Sequence, residues 1–202
     1  MRFSSVSLLV AATQATLHLG GCPNLSIENF DAAKFAGKWY EVQRETFIPF
    51  EIGWTCTTQE FHLNDEGSLD YNWRAWSPMN WMRGIEYGSV QGQLYNCESG
   101  SPDTYSCQGN MYRDDSDDVE LTYDVIATDN FENWYVMYNC MEMIKDGFRG
   151  ELVHIQARTP QISAEHLAEA HAAIKAKLPN YDLSWMTVSD TDQSKCEHEW
   201  LW

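Results

Sequence analysis

The stretch Gly37-Lys38-Trp39-Tyr40-Glu41 constrains this chain more than any other. A glycine, one residue and an aromatic pair open a β-type run, Trp39 to Gln43, directly after a short helical-looking segment, Phe30 to Phe35. Gly37 supplies a backbone freedom that a side chain would deny. Trp39 then begins a strand with a large apolar plate whose faces and indole N–H need partners. Far downstream, Arg158 follows an apolar strand-like run, Leu152-Val153-His154-Ile155. A guanidinium stacked on the indole would be such a partner.

Between these two points, Thr128-Asp129 precedes an aromatic strand, Trp134-Tyr135-Val136-Met137-Tyr138. Gly37-x-Trp39, Thr128-Asp129 and Arg158, in this order, resemble the three signature regions of the lipocalins. Asn29-Phe30-Asp31, Ala127-Thr128-Asp129, Ala157-Arg158-Thr159-Pro160 and Met186-Thr187-Val188-Ser189-Asp190 are similar to the apolipoprotein D and bilin-binding branch. The likeness runs from about Cys22 to Cys196. It implies an all-β fold, an eight-stranded antiparallel up-and-down barrel with one C-terminal helix packed outside and a ligand cup inside. Gly37, Trp39, Thr128, Asp129 and Arg158 are then structural residues.

The resemblance also implies two disulfides, Cys22 to Cys140 and Cys56 to Cys196. Six cysteines, an even number behind an export signal, indicate a disulfide framework, of which fifteen connectivities are possible. The remaining pair, Cys97 and Cys107, flanks the turn-rich Glu98-Ser99-Gly100-Ser101-Pro102-Asp103, and local spacing alone suggests that it closes a hairpin. The export signal is read from Met1-Arg2-Phe3 and the apolar Val6 to Ala12 and is assigned to residues 1–21. Residues 22–202 form one domain, and secretion is expected. Asn24-Leu25-Ser26 is a glycosylation sequon. Leu19-Gly20-Gly21-Cys22 resembles a bacterial lipidation box, but lipidation there would leave Cys140 without its partner.

With 202 residues, 44% of them hydrophobic, the chain can enclose a core. Its net charge of −17 argues against nucleic acid and anionic membrane surfaces as partners, since both would repel it. No His pair has metal-ligand spacing, and no glycine-framed serine or phosphate loop appears. Neither a metal nor a cofactor is therefore expected. The acidic run Asp114-Asp115-Ser116-Asp117-Asp118 lacks the glycine and terminal Glu of a calcium loop and reads as a solvated hairpin tip.

Alternation in the predicted strands places one set of side chains inward. Leu69, Tyr71, Trp73 and Ala75 share a face, as do Tyr135 with Met137 and Leu152 with His154. Register with the family implies that Phe61, Trp73, Tyr123, Met137 and His154 line the cup, and alternation adds Tyr71, Tyr135 and Leu152. His154 departs from the apolar group the family favours; it could bond a ligand carboxylate or carbonyl and make release depend on pH. A helix from Ala164 to about Leu178, capped by Ser163 and stopped by Pro179, carries Leu167, Ala170, Ile174 and Leu178 on the face toward the barrel. The segment Met141 to Gly150 reads as a turn.

The expected function is to bind and carry a small hydrophobic ligand (a bilin, retinoid, carotenoid, fatty acid or sterol) without catalysis. An alternative is an enzyme acting on a bound isoprenoid or pigment, which a carboxylate facing His154 would favour. The apolar 46–54 loop either packs on the rim or touches a membrane or receptor.

Overall fold

The computed structural model describes residues 17–45, 53–77, 87–97, 106–112, 119–144, 147–187, 193 and 196. Among these residues ten strands form one sheet: β1 (Leu17–Leu19), β2 (Gly37–Glu45), β3 (Thr55–Leu63), β4 (Leu69–Trp76), β5 (Tyr87–Tyr95), β6 (Cys107–Met111), β7 (Val119–Thr128), β8 (Trp134–Ile144), β9 (Phe148–Ala157) and β10 (Met186–Thr187). Strands β2 to β9 pair antiparallel in sequence order, and β9 returns to β2, closing an eight-stranded barrel. Closure removes the free edges that an open sheet would expose. β1 adds to the lower part of β9, and β10 to the end of β2.

The hairpin joining β8 to β9 differs from the sequence reading. Met141 to Ile144, expected as part of a turn, continue β8, and Phe148 already belongs to β9. The extension is held because β9 is paired on both sides there, Gly150 with Met141 of β8 and with Leu17 of β1. Leu17–Leu19 fall within the 1–21 stretch read as an export signal, while residues 1–16 lie outside those described. So do the acidic run 114–118, the sequence between Cys97 and Ser106, and 46–52 of the apolar loop.

Alternation splits the strands into two cores. Outward-facing Val42, Ile126, Trp134, Val136, Tyr138, Val153 and Ile155 pack against Ala170, Ile174 and Leu178 of the helix and its end. This helix, α2 (Ala164–Lys177), follows the short α1 (Ala32–Phe35) and starts where Ser163 accepts the His166 N–H. Gln43 fixes its roll by bonding His171 Nε2 at 2.6 Å. Inward-facing side chains form the second core.

All six cysteines are bridged, Cys22–Cys140, Cys56–Cys196 and Cys97–Cys107. The second bridge lies beside a seam with a short ladder. β2 and β3 pair only from Gly37↔Phe61 to Tyr40↔Thr58, and the β3 register shifts between Thr55 and Thr58. Gln193, fully buried, spans the gap: its Nε2 donates to Glu41 O and Thr57 O, both at 3.1 Å. A side-chain amide thereby replaces missing ladder bonds.

On β7, burial raises the Asp124 carboxyl from 3.8 to about 7, although the Ser106 N–H that it accepts pulls the other way. Because the folded-state value is the higher one, this group's stabilisation is full below pH 3.8 and is lost as pH rises to about 7. Asp124→Asn should therefore be more stable relative to the wild type at pH 8 than at pH 5. Thermal melts of both proteins at the two pH values would show it; a stability difference that does not change with pH would remove Asp124 from this role.

Candidate ligand-binding site

One end of the barrel is sealed. Asp31 caps α1 by accepting the Lys34 N–H, and Phe35, 0% exposed, drops from the helix into the interior. Trp39 follows at the start of β2, its Nε1 donating to Phe35 O at 2.8 Å. Over its ring lies the Arg158 guanidinium, 3.5 Å from the centroid. Arg158 also donates to Lys34 O at 2.5 Å, Ala36 O at 3.0 Å and Phe131 O at 3.3 Å, binding α1 and the β7–β8 turn to the end of β9. A Cβ on Gly37 (φ 103) would sit 3.1 Å from this guanidinium, so both the backbone conformation and the stack favour glycine.

The β7–β8 turn carries its own capping. Thr128 Oγ1 accepts the Phe131 N–H and donates to Trp134 O, while Asp129 accepts from the backbone of Asn133 and Trp134. These bonds hold Asn130 and Phe131 at positive φ and place the Phe131 ring inside, 5.3 Å from that of Phe35.

Above this floor stand Phe61, Tyr71, Tyr123 and Tyr135. Phe61 packs 4.5 Å from Phe35 and 5.7 Å from Tyr123, and Tyr135 meets Trp39 edge-on at 4.7 Å. Tyr71 lies against Gly92 of β5, where any Cβ would come within 2.5 Å of its ring. Burial pushes Tyr71 up to about 12 and raises Tyr123 and Tyr135 as well, so all three hydroxyls stay protonated. Gln59 Oε1 accepts from Tyr123 at 2.5 Å and from Tyr135 at 3.0 Å, and the two hydroxyls are 2.7 Å apart.

Farther along the inner face the lining becomes mixed. Register sets Tyr135, Gln156 and Glu41 side by side across β8, β9 and β2, and Met137, His154 and Arg44 in the next row. His154 Nδ1 lies 3.0 Å from Glu41 Oε2, and Arg44 Nη1 donates to Glu41 Oε1 at 3.2 Å, all three buried. Trp73, beside Gln59 on β4, stands edge-on to His154 at 6.3 Å and to Trp54 at 5.9 Å. Leu152 follows His154 on the same face and is partly buried. Only Gly53 and Trp54 of the 46–54 loop are among the described residues, and Trp54 O accepts from Arg44.

Of the predicted ligand residues, Phe61, Tyr71, Tyr123, Tyr135 and Met137 thus belong to one packed interior cluster with the floor, and Trp73 packs against it. His154 and Leu152 sit beyond it on β9. Sequence reasoning missed Glu41, Arg44, Gln59 and Gln156. Glu41 and Gln156 could have been found by counting two from Trp39 and His154. Arg44 could not, because the bulge between Glu41 and Gln43 changes the parity of β2. An open cleft of about 440 Å³ outside the floor, between Phe30, Asp31, Leu63 and Gly67, contains none of the predicted ligand residues. Among the described residues no group of three or more His, Cys, Asp or Glu could hold a metal ion.

No family model matches the chain. Mouse apolipoprotein D is 27% identical over 192 residues, covering 94% of this chain and 91% of the relative. Apolipoprotein D of Macaca fascicularis is 28% identical over 195 residues with the same coverage. Among solved structures, insecticyanin from the tobacco hornworm Manduca sexta superposes with a TM-score of 0.72 at 20% identity, covering 90% of this chain and 92% of that one. The amine binding protein of Rhodnius prolixus, in its tryptamine complex, gives 0.64 at 18% identity over 89% and 91%.

Proposed function

We propose that the chain, which has the barrel of the lipocalins and is similar to apolipoprotein D along nearly its whole length, is a secreted carrier of that family that holds one small hydrophobic molecule inside the barrel. One observation carries this reading. Beyond a floor sealed by Phe35, Trp39 and Arg158, the inner face does not close into a wholly apolar core; Trp73, Met137, Leu152 and His154 continue it as a wall of large side chains mixed with polar groups. Predominantly apolar lining with a few fixed polar groups is what small-molecule sites use. Three disulfides suit an oxidising compartment, and no described helix is long and apolar enough to cross a membrane.

In this reading Trp73, Met137, Leu152 and His154 contact the ligand along its length, and Phe61, Tyr71, Tyr123 and Tyr135 meet its leading end. Aromatic walls suit flat conjugated molecules such as bilins, retinoids or carotenoids, as well as acyl chains and sterols. Titration with retinol, followed by tryptophan quenching, should saturate at one equivalent. Trp73→Ala should weaken binding about tenfold or more. Quenching that never saturates, or equal affinity in the variant, would count against the assignment.

The alternative of an enzyme rests on the Glu41–His154 pair, a carboxylate beside the one histidine seen on the inner face among the described residues. Arg44 shares that carboxylate and every cysteine is bridged, so the pair reads as a structural ion cluster with no thiol nucleophile beside it. Retinol or a tetrapyrrole recovered chemically unchanged after prolonged incubation supports the carrier; conversion that Glu41→Gln abolishes would support the enzyme.

A further inference from the structure

We propose that the barrel selects ligands whose leading end carries a carbonyl with an N–H or O–H beside it, as in an amide, a lactam or an undissociated carboxylic acid, and that Gln156 is the residue that recognises it. The proposal rests on the carrier reading above and names its ligand class.

Gln156 is 0% exposed, and neither its Oε1 nor its Nε2 has a hydrogen-bond partner. Buried amides are almost always bonded, because stripping their water without replacing it is costly. Register fixes where this one points. Gln156 is the direct partner of Tyr135 on one side and of Glu41 on the other, and both turn inward, Tyr135 into the interior cluster and Glu41 toward His154. Directly opposed residues of antiparallel strands share a face. The amide is therefore aimed into the barrel, one row from Met137 and His154.

Elsewhere on the wall the unmet groups are donors. Trp73 Nε1 and Gln59 Nε2 are buried without partners, and these two residues are cross-strand neighbours. Together with Gln156 Nε2 they call for an acceptor oxygen, and Gln156 Oε1 calls for one donor beside it. A carbonyl with an adjoining N–H or O–H meets both demands of a primary amide at once. An ammonium group is disfavoured, because the nearest carboxylate, Glu41, already serves Arg44 and His154. An ester offers the acceptor alone, and a hydrocarbon neither.

The test is a competition series on the whole protein, displacing a fluorescent apolar probe with dodecanamide, dodecanoic acid, methyl dodecanoate and dodecane. Dodecanamide should bind about tenfold tighter than the methyl ester, the gain from one added pair of hydrogen bonds. Dodecanoic acid should match it only below about pH 5, where the carboxyl is protonated, and this distinguishes the acid from the amide as the preferred form. In Gln156→Met the amide should fall to the level of the ester. The ligand-free variant should melt no lower than the wild type, since the buried group it removes has no partner to lose. Equal binding of amide and ester by the wild type, or a preference that survives in Gln156→Met, would overturn the assignment while leaving the carrier reading intact. A markedly lower melting point of the ligand-free variant would instead make Gln156 a structural residue satisfied by buried water. If no member of the series displaces the probe, the carrier reading itself fails.

Discussion

Replacing Trp39 by alanine should lower stability by roughly 3–5 kcal/mol and the melting temperature by roughly 6–20 °C. The residue is 0% exposed and in contact with Phe35, Phe131 and Tyr135, so its removal empties space that these rings cannot fill without leaving their own contacts. The loss extends beyond volume. Phe35 O would lose the Nε1 donor, and the Arg158 guanidinium would lose the ring beneath it. Trp39→Phe restores a plate but not the N–H and should fall between the two. Denaturant unfolding monitored by circular dichroism would measure the series; an alanine variant as stable as the wild type would mean that the floor does not depend on this stack.

The second large effect belongs to Cys56–Cys196. Cutting it with Cys56→Ser and Cys196→Ser should cost about 2–5 kcal/mol. Its sequence separation of 140 is long, and in the chain-entropy model longer loops release more freedom when opened. The native state suffers too, because Cys196 tethers Gln193, the residue that bridges β2 and β3 where their ladder ends. Cys97–Cys107, separated by 10, should cost less when cut. Hydrogen exchange would separate the two cases: the first variant should lose protection at Glu41 to Glu45 and Thr55 to Thr58, whereas the second should lose it only near Tyr95 and Cys107. The reverse order of stabilities would contradict this account of the barrel seam.

Much of the fold is legible in the sequence because it is written in local patterns. Alternation in Leu69 to Trp76 sorts that strand by face, the 3.6-residue spacing of Ala170, Ile174 and Leu178 marks the packed side of α2, and Ser163 sets its start. What alternation does not carry is where a strand ends when its neighbours decide. Met141 to Ile144 extend β8 because β9 and β1 are there to pair with, a long-range fact absent from the segment itself.

The interior is legible only in part, for a physical reason. A search for large apolar groups at every second position finds Trp73, Tyr135 and Met137 but passes over Glu41, Gln59 and Gln156 on the same face, since polar residues are ordinarily read as pointing outward. The bulges at Glu41/Gln43 and Val125/Ala127 then move Arg44 and Ala127 to faces that simple counting does not give them. Buried polar groups with no partner, invisible in a one-dimensional pattern, are the features that most narrow the ligand.

Native mass spectrometry of the intact, oxidised protein, incubated in turn with retinol, a long-chain fatty acid, a sterol and a tetrapyrrole, tests the central claim most directly. The account predicts the mass of one ligand per chain with at least one of these, lost on denaturation. No adduct with any of them, or stepwise addition that does not stop at one, would contradict a single binding cup inside the barrel.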